Sequence, residues 1–474
     1  MKTSRTGRLI VYIILILSFI SVMWVANKKN GFIYDDYSLI KQANFSDYPE
    51  YFSLLPKAKY NDRPVRQIII KVLFTIFGLQ TTGYFLVFIC IHLLNVILAY
   101  AIVNIFFSQL GCNQSEILAG ITAGMLGIFP TSHLAVSWIS AVGDLFCLTF
   151  LLLSILSFLN SLTSKEFSAF YLVFAFIFYV IGLRTKEMIL PLPIILILLD
   201  YYISKYRKSK FTFLWKHVAM VFWMILYALI LFRMESSITV FGSPYYQSFA
   251  LKDMFVNFIK YFALFFDPQN GNYTFVSFNL YSSIGIVLLF LITLISFMSL
   301  LRSKDSLMLI SLLMFGASLI TVLPMVNMQH RLYLYIPSFF MGFIFSCFFY
   351  LLLNKGLIKN LSTTLVIVVL FAHLYNYSFG IKSLHSYWLS VAQNDRNLLT
   401  QIAAMKKPEA NTVFYISGGA ENGYNIFTYG PGNVFNVLFN DSTLTTKLVE
   451  DFPAERKDLT IRIKFKDNII EVVP

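Results

Sequence analysis

Apolar runs of about twenty residues recur along this chain, each long enough to cross a hydrocarbon core of roughly 30 Å as a helix. That recurrence fixes the class before any motif is considered: an all-α polytopic membrane protein. The chain is 57% hydrophobic with a mean hydropathy of +0.69 and only 13% charged residues, so a soluble multidomain protein of 474 residues is excluded. The expected spans are 9–26, 83–107, 116–132, 143–161, 168–183, 188–203, 213–232, 281–301, 306–325, 333–353 and 358–378, about eleven in all. The stretches 68–79 and 249–266 read as interfacial helices, the first for its shortness and the second for Lys252, Asp253 and Lys260.

The net charge of +13 belongs to topology and not to nucleic acid, since no soluble basic domain or nucleic-acid motif accompanies it. With the N-terminus cytoplasmic, the inner loops hold Lys205, Arg207, Lys208, Lys210, Lys216, Arg302, Lys304, Lys355 and Lys359. The outer face then receives the loops 27–82 and 233–280 and the tail 379–474. The basic start, Met1 to Arg8, precedes an apolar run with no small-residue cleavage site, which reads as a retained span in an integral plasma membrane, the inner membrane in a bacterium. Cys90, Cys112, Cys147 and Cys347 lack metal-ligand spacing and read as packing residues.

The chain thus divides into a transmembrane unit, 1–378, and a small extracytoplasmic α/β domain, 379–474. In the tail, 383–405 has an amphipathic helical pattern, and β-like runs occupy 412–416, 424–428 and 459–473 between Gly-rich turns.

Acidic residues are scarce, 24 in 474, so the adjacent pair Asp35-Asp36 just past the first span stands out. A carboxylate there can take a proton from an acceptor hydroxyl, hold a cation or bind sugar hydroxyls. Adjacent acids repel one another, which raises the pKa of one toward neutrality. Asp also caps helix N-termini, the alternative for one of the two. The flanking Tyr34 and Tyr37 suit stacking on a sugar or seating at the interface. Two short outer turns, Arg184-Thr185-Lys186-Glu187 and His330-Arg331, break the positive-inside rule and suit an anionic group such as a lipid-linked phosphate. Arg63 and Arg66, in the first outer loop, have the bidentate geometry phosphate favours. His92 and Asn95, one turn apart in a span, are placed for an interhelical hydrogen bond, and Asp144 opens a span near the outer face.

In this order the motifs resemble the C-type (GT-C) polytopic glycosyltransferases, which use polyprenyl- or dolichyl-phosphate sugars. Closest in pattern are the O-mannosyltransferase-like members. The matching pieces are Asp35-Asp36-Tyr37, Arg63-Pro64-Val65, the span around His92 and Asn95, and Ser137-Trp138-Ile139-Ser140 with Gly143-Asp144-Leu145. They continue with Thr185-Lys186-Glu187 and with His330-Arg331-Leu332-Tyr333-Leu334-Tyr335-Ile336-Pro337-Ser338. The position that is often Glu in the family is His330 here, and a short tail replaces the tetratricopeptide array. Composition and layout are also similar to the serotype-converting glucosyltransferases of bacterial O-antigen.

The resemblance implies an inverting hexosyltransferase moving glucose or mannose from a polyprenyl-phosphate sugar to an acceptor hydroxyl on O-antigen or another surface glycan. Asp36 or Asp35 would be the general base. Arg184, Lys186, Arg331 and Arg63 would bind the donor phosphate, and Tyr34, Tyr37, His330, Asp144, Glu187 and Tyr335 the substrates. No cofactor is required beyond the lipid-linked donor; a divalent metal is compatible but not demanded. Partners would be the bilayer, the lipid donor and a glycan or lipid-linked acceptor, with a donor synthase and a flippase upstream. The rival readings are a flippase or transporter of a lipid-linked sugar, a polymerase or ligase, and a protein O-glycosyltransferase.

Overall fold

A computed structural model describes residues 31–32, 35–46, 54–57, 62–128, 130–164, 166–208, 214–234, 246–266, 280–303, 306–327, 329–354, 396–417, 433–453, 459–466 and 469–473. The expected first and last spans, 9–26 and 358–378, lie outside these residues. So do Tyr34, the run 424–428 and, within the loop 233–280, residues 235–245 and 267–279.

The described chain is mainly helical. It runs α1 (Asp36–Phe45), α2 (Pro64–Phe77), α3 (Thr81–Gln109), α4 (Ser115–Ile128), α5 (Pro130–Ser137), α6 (Val142–Ser161), α7 (Ser168–Thr185) and α8 (Leu192–Tyr206). It continues through α9 (Leu214–Arg233), α10 (Leu251–Phe266), α11 (Leu280–Ser303), α12 (Leu307–Leu319), α13 (Tyr335–Asn354), α14 (396–403) and α15 (Asn433–Phe439). Short 3-10 turns at Ile139–Ala141, Glu187–Ile189 and Arg331–Leu334 lead into α6, α8 and α13. Six helical stretches are long and apolar enough to cross a membrane: Thr81–Gln109, Ile139–Ser161, Ser168–Thr185, Glu187–Tyr206, Lys216–Arg233 and Arg331–Asn354. Each coincides with an expected span. Shorter apolar helices cover Ser115–Gly127, Ser283–Ser296 and Leu307–Leu319, where longer spans were expected.

Helix faces divide as a bilayer demands. On α9 the exposed side chains Val218, Phe222, Ile225, Leu229 and Phe232 recur at helical spacing, a stripe suited to lipid. Between helices the contacts are tight and include polar pairs. A Cβ at Gly342 of α13 would stand 3.0 Å from the Thr122 backbone of α4, and Thr122 Oγ1 lies 2.7 Å from Ser346 Oγ. One buried network ties α3, α6 and α13. Tyr335 Oη lies 2.8 Å from His92 Nδ1 and accepts from Asn95 Nδ2 at 3.1 Å. Asn95 Nδ2 also donates to the Leu145 carbonyl at 3.0 Å, and Thr149 Oγ1 donates to Asn95 Oδ1 at 2.7 Å. The hydrogen bond expected of His92 and Asn95 is therefore present.

Near the C-terminus the strands β1 (Val413–Ser417), β2 (Thr445–Leu448), β3 (Thr460–Lys466) and β4 (Ile469–Val473) form one sheet in the order β2-β1-β3-β4. β1 runs parallel to β2 and β3, and β4 returns antiparallel to β3. Alternation sends Phe414, Ile416 and Ile463 to one buried face, where Phe414 stacks on Phe435 of α15 at 4.1 Å. α15 in turn packs on α1, and Asn44 Nδ2 donates to Asn440 Oδ1 at 3.2 Å. This sheet thus reaches, through α15, the helix whose first turn carries the acidic pair.

Candidate active site

The two adjacent carboxylates have different fates. Asp36, the first residue of α1, is fully buried, and its Oδ1 accepts from Ser140 N at 2.8 Å and Ser140 Oγ at 2.6 Å. It is spent on joining α1 to the 3-10 turn before α6. Asp35 holds the N-cap position, yet its side chain makes no capping hydrogen bond, and its buried Oδ1 has no hydrogen-bond partner among the described residues. The capping role weighed for one of the pair is therefore not filled by Asp35. Burial pushes its carboxyl above the usual range, against the opposing pull of Arg66 and Arg63.

Arg66 sits in the first turn of α2, and its aliphatic stem lies along α6: a Cβ at Gly143 would meet Arg66 Cδ at 3.2 Å. Glycine at 143 lets the two helices cross this closely without Arg66 having to shift. Arg66 Nε is buried without a hydrogen-bond partner among the described residues, and Asp35 is the first carboxylate whose charge acts on it. Acid and cation act on each other through their charges, and each keeps one buried atom without a hydrogen-bond partner among the described residues.

The other cations are committed. Arg63 Nη2 and Nε donate to the two oxygens of Glu187 at 2.5 and 3.0 Å, a bidentate pair. Arg184 Nη2 donates to Asp62 Oδ2 at 2.9 Å, and its Nη1 to Tyr227 Oη at 3.3 Å. Lys186 Nζ lies 2.7 Å from both oxygens of Asp144. The chain breaks from α7 into an extended residue at Lys186, which turns this side chain inward toward α6. Crossed ion pairs therefore clamp Asp62 and the start of α2 to the α7–α8 turn.

His330 and Arg331 come up beside this cluster from the start of α13 and are both buried. His330 Nδ1 accepts from Leu332 N at 3.1 Å, which leaves the proton of the neutral ring on Nε2. Burial and the cations Lys186 and Arg331 push its pKa down to about 3, so the ring is neutral. Lys186 Nζ also lies 5.4 Å from the Tyr333 ring centre.

The fold thus gathers Asp35, Asp36, Arg63, Asp144, Arg184, Lys186, Glu187, His330 and Arg331 on one end of the helices. Tyr37 is buried against Phe32 with ring centres 5.5 Å apart, and Tyr335 belongs to the polar network beneath the site. Both rings, which the sequence reading places with the substrates, are thus engaged in helix packing. Asp62, Ser140 and the unspent state of Arg66 escaped that reading; the only hint was the position of each inside a motif. Among the described residues, no group of three His, Cys, Asp or Glu side chains is placed to hold a metal ion.

No family model matches the chain, and no curated protein matches it in sequence. Two crystal structures of ArnT from Cupriavidus metallidurans match in shape. The apo form aligns with a TM-score of 0.50 at 12% identity, covering 94% of this chain and 86% of ArnT. The form bound to undecaprenyl phosphate aligns with a TM-score of 0.49 at 11% identity, covering 92% of this chain and 85% of ArnT. The chain shares the ArnT fold. At this identity the likeness is one of architecture, and the site must be argued from its own residues.

Proposed function

We propose that this protein is a membrane glycosyltransferase of GT-C type that moves a hexose from a polyprenyl-phosphate carrier to an acceptor hydroxyl, with inversion, at the outer face of the membrane. The observation that carries the reading is the pairing of Asp35 and Arg66 at the starts of α1 and α2, each with one buried polar atom that has no hydrogen-bond partner among the described residues. Asp35 is the general base. Its carboxylate takes the acceptor proton as that oxygen attacks the anomeric carbon, while the bond from that carbon to the phosphate oxygen breaks and the lipid phosphate leaves. The leaving phosphate needs no proton, only charge stabilisation, and Arg66 supplies it with Arg331 near at hand. Arg63 and Lys186 hold the walls, and Arg184 joins the phosphate as Asp62 releases it. Asp36 fixes the position of α1 through Ser140. The acceptor class is a surface glycan such as O-antigen, and the tail 379–474 is an extracytoplasmic domain packed over the acid-bearing helix.

Two variants test this. Asp35→Asn is expected to lower sugar transfer from undecaprenyl-phosphate glucose or mannose by roughly a hundredfold or more while binding of undecaprenyl phosphate persists. Asp36→Asn keeps an oxygen for Ser140 and is expected to lose less. Full activity of Asp35→Asn sinks the base assignment. Passage of the lipid-linked sugar across vesicles without any transfer favours the transporter reading.

A further inference from the structure

A row of three rings stands between the acidic pair and the Lys186–Asp144 pair. Trp138 and His330 have ring centres 6.0 Å apart at 52°, and His330 and Tyr333 are 5.9 Å apart at 67°. The row has fixed ends. Trp138 is two residues before Ser140, which holds Asp36, and its carbonyl accepts from Ala141 N at 3.0 Å, locking the 3-10 turn. Tyr333 lies under the Lys186 ammonium. Around these rings the chain is packed dry: 132–137, 141–145, 330–332 and 334–344 are buried. Trp138, Ser140 and Tyr333 are exceptions that keep partial exposure, as do Asp35, Arg66 and Glu187. Large rings are thus left partly open amid buried neighbours, on the same turn as Ser140 and against Lys186.

We propose that Trp138 and Tyr333 are the platform on which the transferred sugar lies, and that the sugar is a neutral pyranose. An aromatic face offers dispersion to the C–H side of such a ring and leaves its hydroxyls to the polar groups around it. His330 sets the angle of both rings and is fixed through Leu332 N. The Tyr333 ring already carries the Lys186 cation, so a positively charged sugar would meet a like charge there. This inference rests on the reading of the site as one for lipid-linked sugar and adds the class of sugar and the residues that sense it.

The test uses the full chain in lipid nanodiscs and three probes: undecaprenyl phosphate, its glucosyl derivative and its mannosyl derivative. The wild type is expected to bind at least one hexosyl lipid more tightly than the bare lipid. Trp138→Leu and Tyr333→Leu are each expected to erode that preference by roughly tenfold, with bare-lipid affinity unchanged, and Trp138→Phe to keep most of it. Three results would overturn the platform: no sugar preference in the wild type, a preference that survives both leucine variants, or an equal loss of bare-lipid binding in both. The two readings separate cleanly. A wild type that shows the Trp138-dependent preference yet transfers no sugar defeats the transferase and leaves the platform standing. Sugar transfer with the preference intact in both leucine variants does the reverse.

Discussion

Replacing Lys186 by Met separates the scaffold of the site from its chemistry. Lys186 and Asp144 are 7% and 2% exposed, with Nζ 2.7 Å from each carboxylate oxygen, so this is a dry, bidentate pair. Removing one partner of such a pair costs about 3–5 kcal/mol, because the other charge is stranded. Here the low end applies. The neighbouring Arg63 offers Asp144 some compensation although Glu187 already holds it, and a stranded carboxylate can also take up a proton. A loss of about 3 kcal/mol is roughly a hundredfold in the folding equilibrium. The double variant Lys186→Met/Asp144→Leu removes both charges and fills the space with apolar atoms, and it is expected to recover most of that loss. Thermal unfolding of the purified protein should show the single variant several degrees below the wild type and the double variant near it. If the single variant melts with the wild type, or the double falls below the single, the pair does not brace α6 against the α7–α8 turn.

Two further outcomes follow from the same geometry. Because burial raises the Asp35 carboxyl, transfer should fall on the acid side at a pH above the ordinary carboxylate range, a limb that Asp35→Asn removes with the activity itself. The stability sign is opposite: the folded chain binds this proton more tightly than the unfolded one, so stability is lost as pH rises through the two values. Asp35→Asn should therefore melt above the wild type at neutral pH, with the gap closing in acid; a lower melting point refutes this. Asp62→Asn releases Arg184 from its 2.9 Å ion pair and should tighten undecaprenyl phosphate binding on the order of fivefold in a direct binding titration, whereas unchanged or weaker affinity places Arg184 outside the phosphate's reach.

Most of the helical frame was legible in the sequence, because a span announces itself through some twenty consecutive residues. The pair 168–183 and 188–203, split only by four polar residues, proved to be two helices joined at an extended Lys186. The charged residues that the fold gathers were also conspicuous in the sequence, since scarce charges at helix ends have few reasons to be there. Its wiring was not. Asp36 finds Ser140 at a separation of 104 residues, Arg184 finds Asp62 at 122 and Arg63 finds Glu187 at 124. No helical or strand periodicity reaches so far, so nothing in the local pattern tells a committed cation from an available one. For the same reason Asp35 and Asp36 look alike in sequence. Only the fold shows that Asp36 is fully buried on Ser140 while Asp35 keeps one oxygen with no partner among the described residues.

That distinction changes how an anion would be received. A cluster of outer-face cations reads, in sequence, as a pool of positive charge awaiting a phosphate. In the folded chain, three of those cations are already matched by Glu187, Asp62 and Asp144. Added negative charge can be met in two ways: by a cation whose capacity is unspent, or by displacing a carboxylate. Arg66 satisfies the first, with its stem laid across Gly143 and its Nε unsatisfied. Asp62 is one candidate for the second, since a single 2.9 Å contact joins it to Arg184 and its side chain keeps 14% exposure, whereas Glu187, at 19%, is held by Arg63 through two hydrogen bonds. A phosphate seated between Arg66 and Arg184 would thus be drawn to the side of the site where Asp35 also waits. The two-oxygen ion pairs, Lys186 with Asp144 and Arg63 with Glu187, keep the helices from yielding as the charge moves.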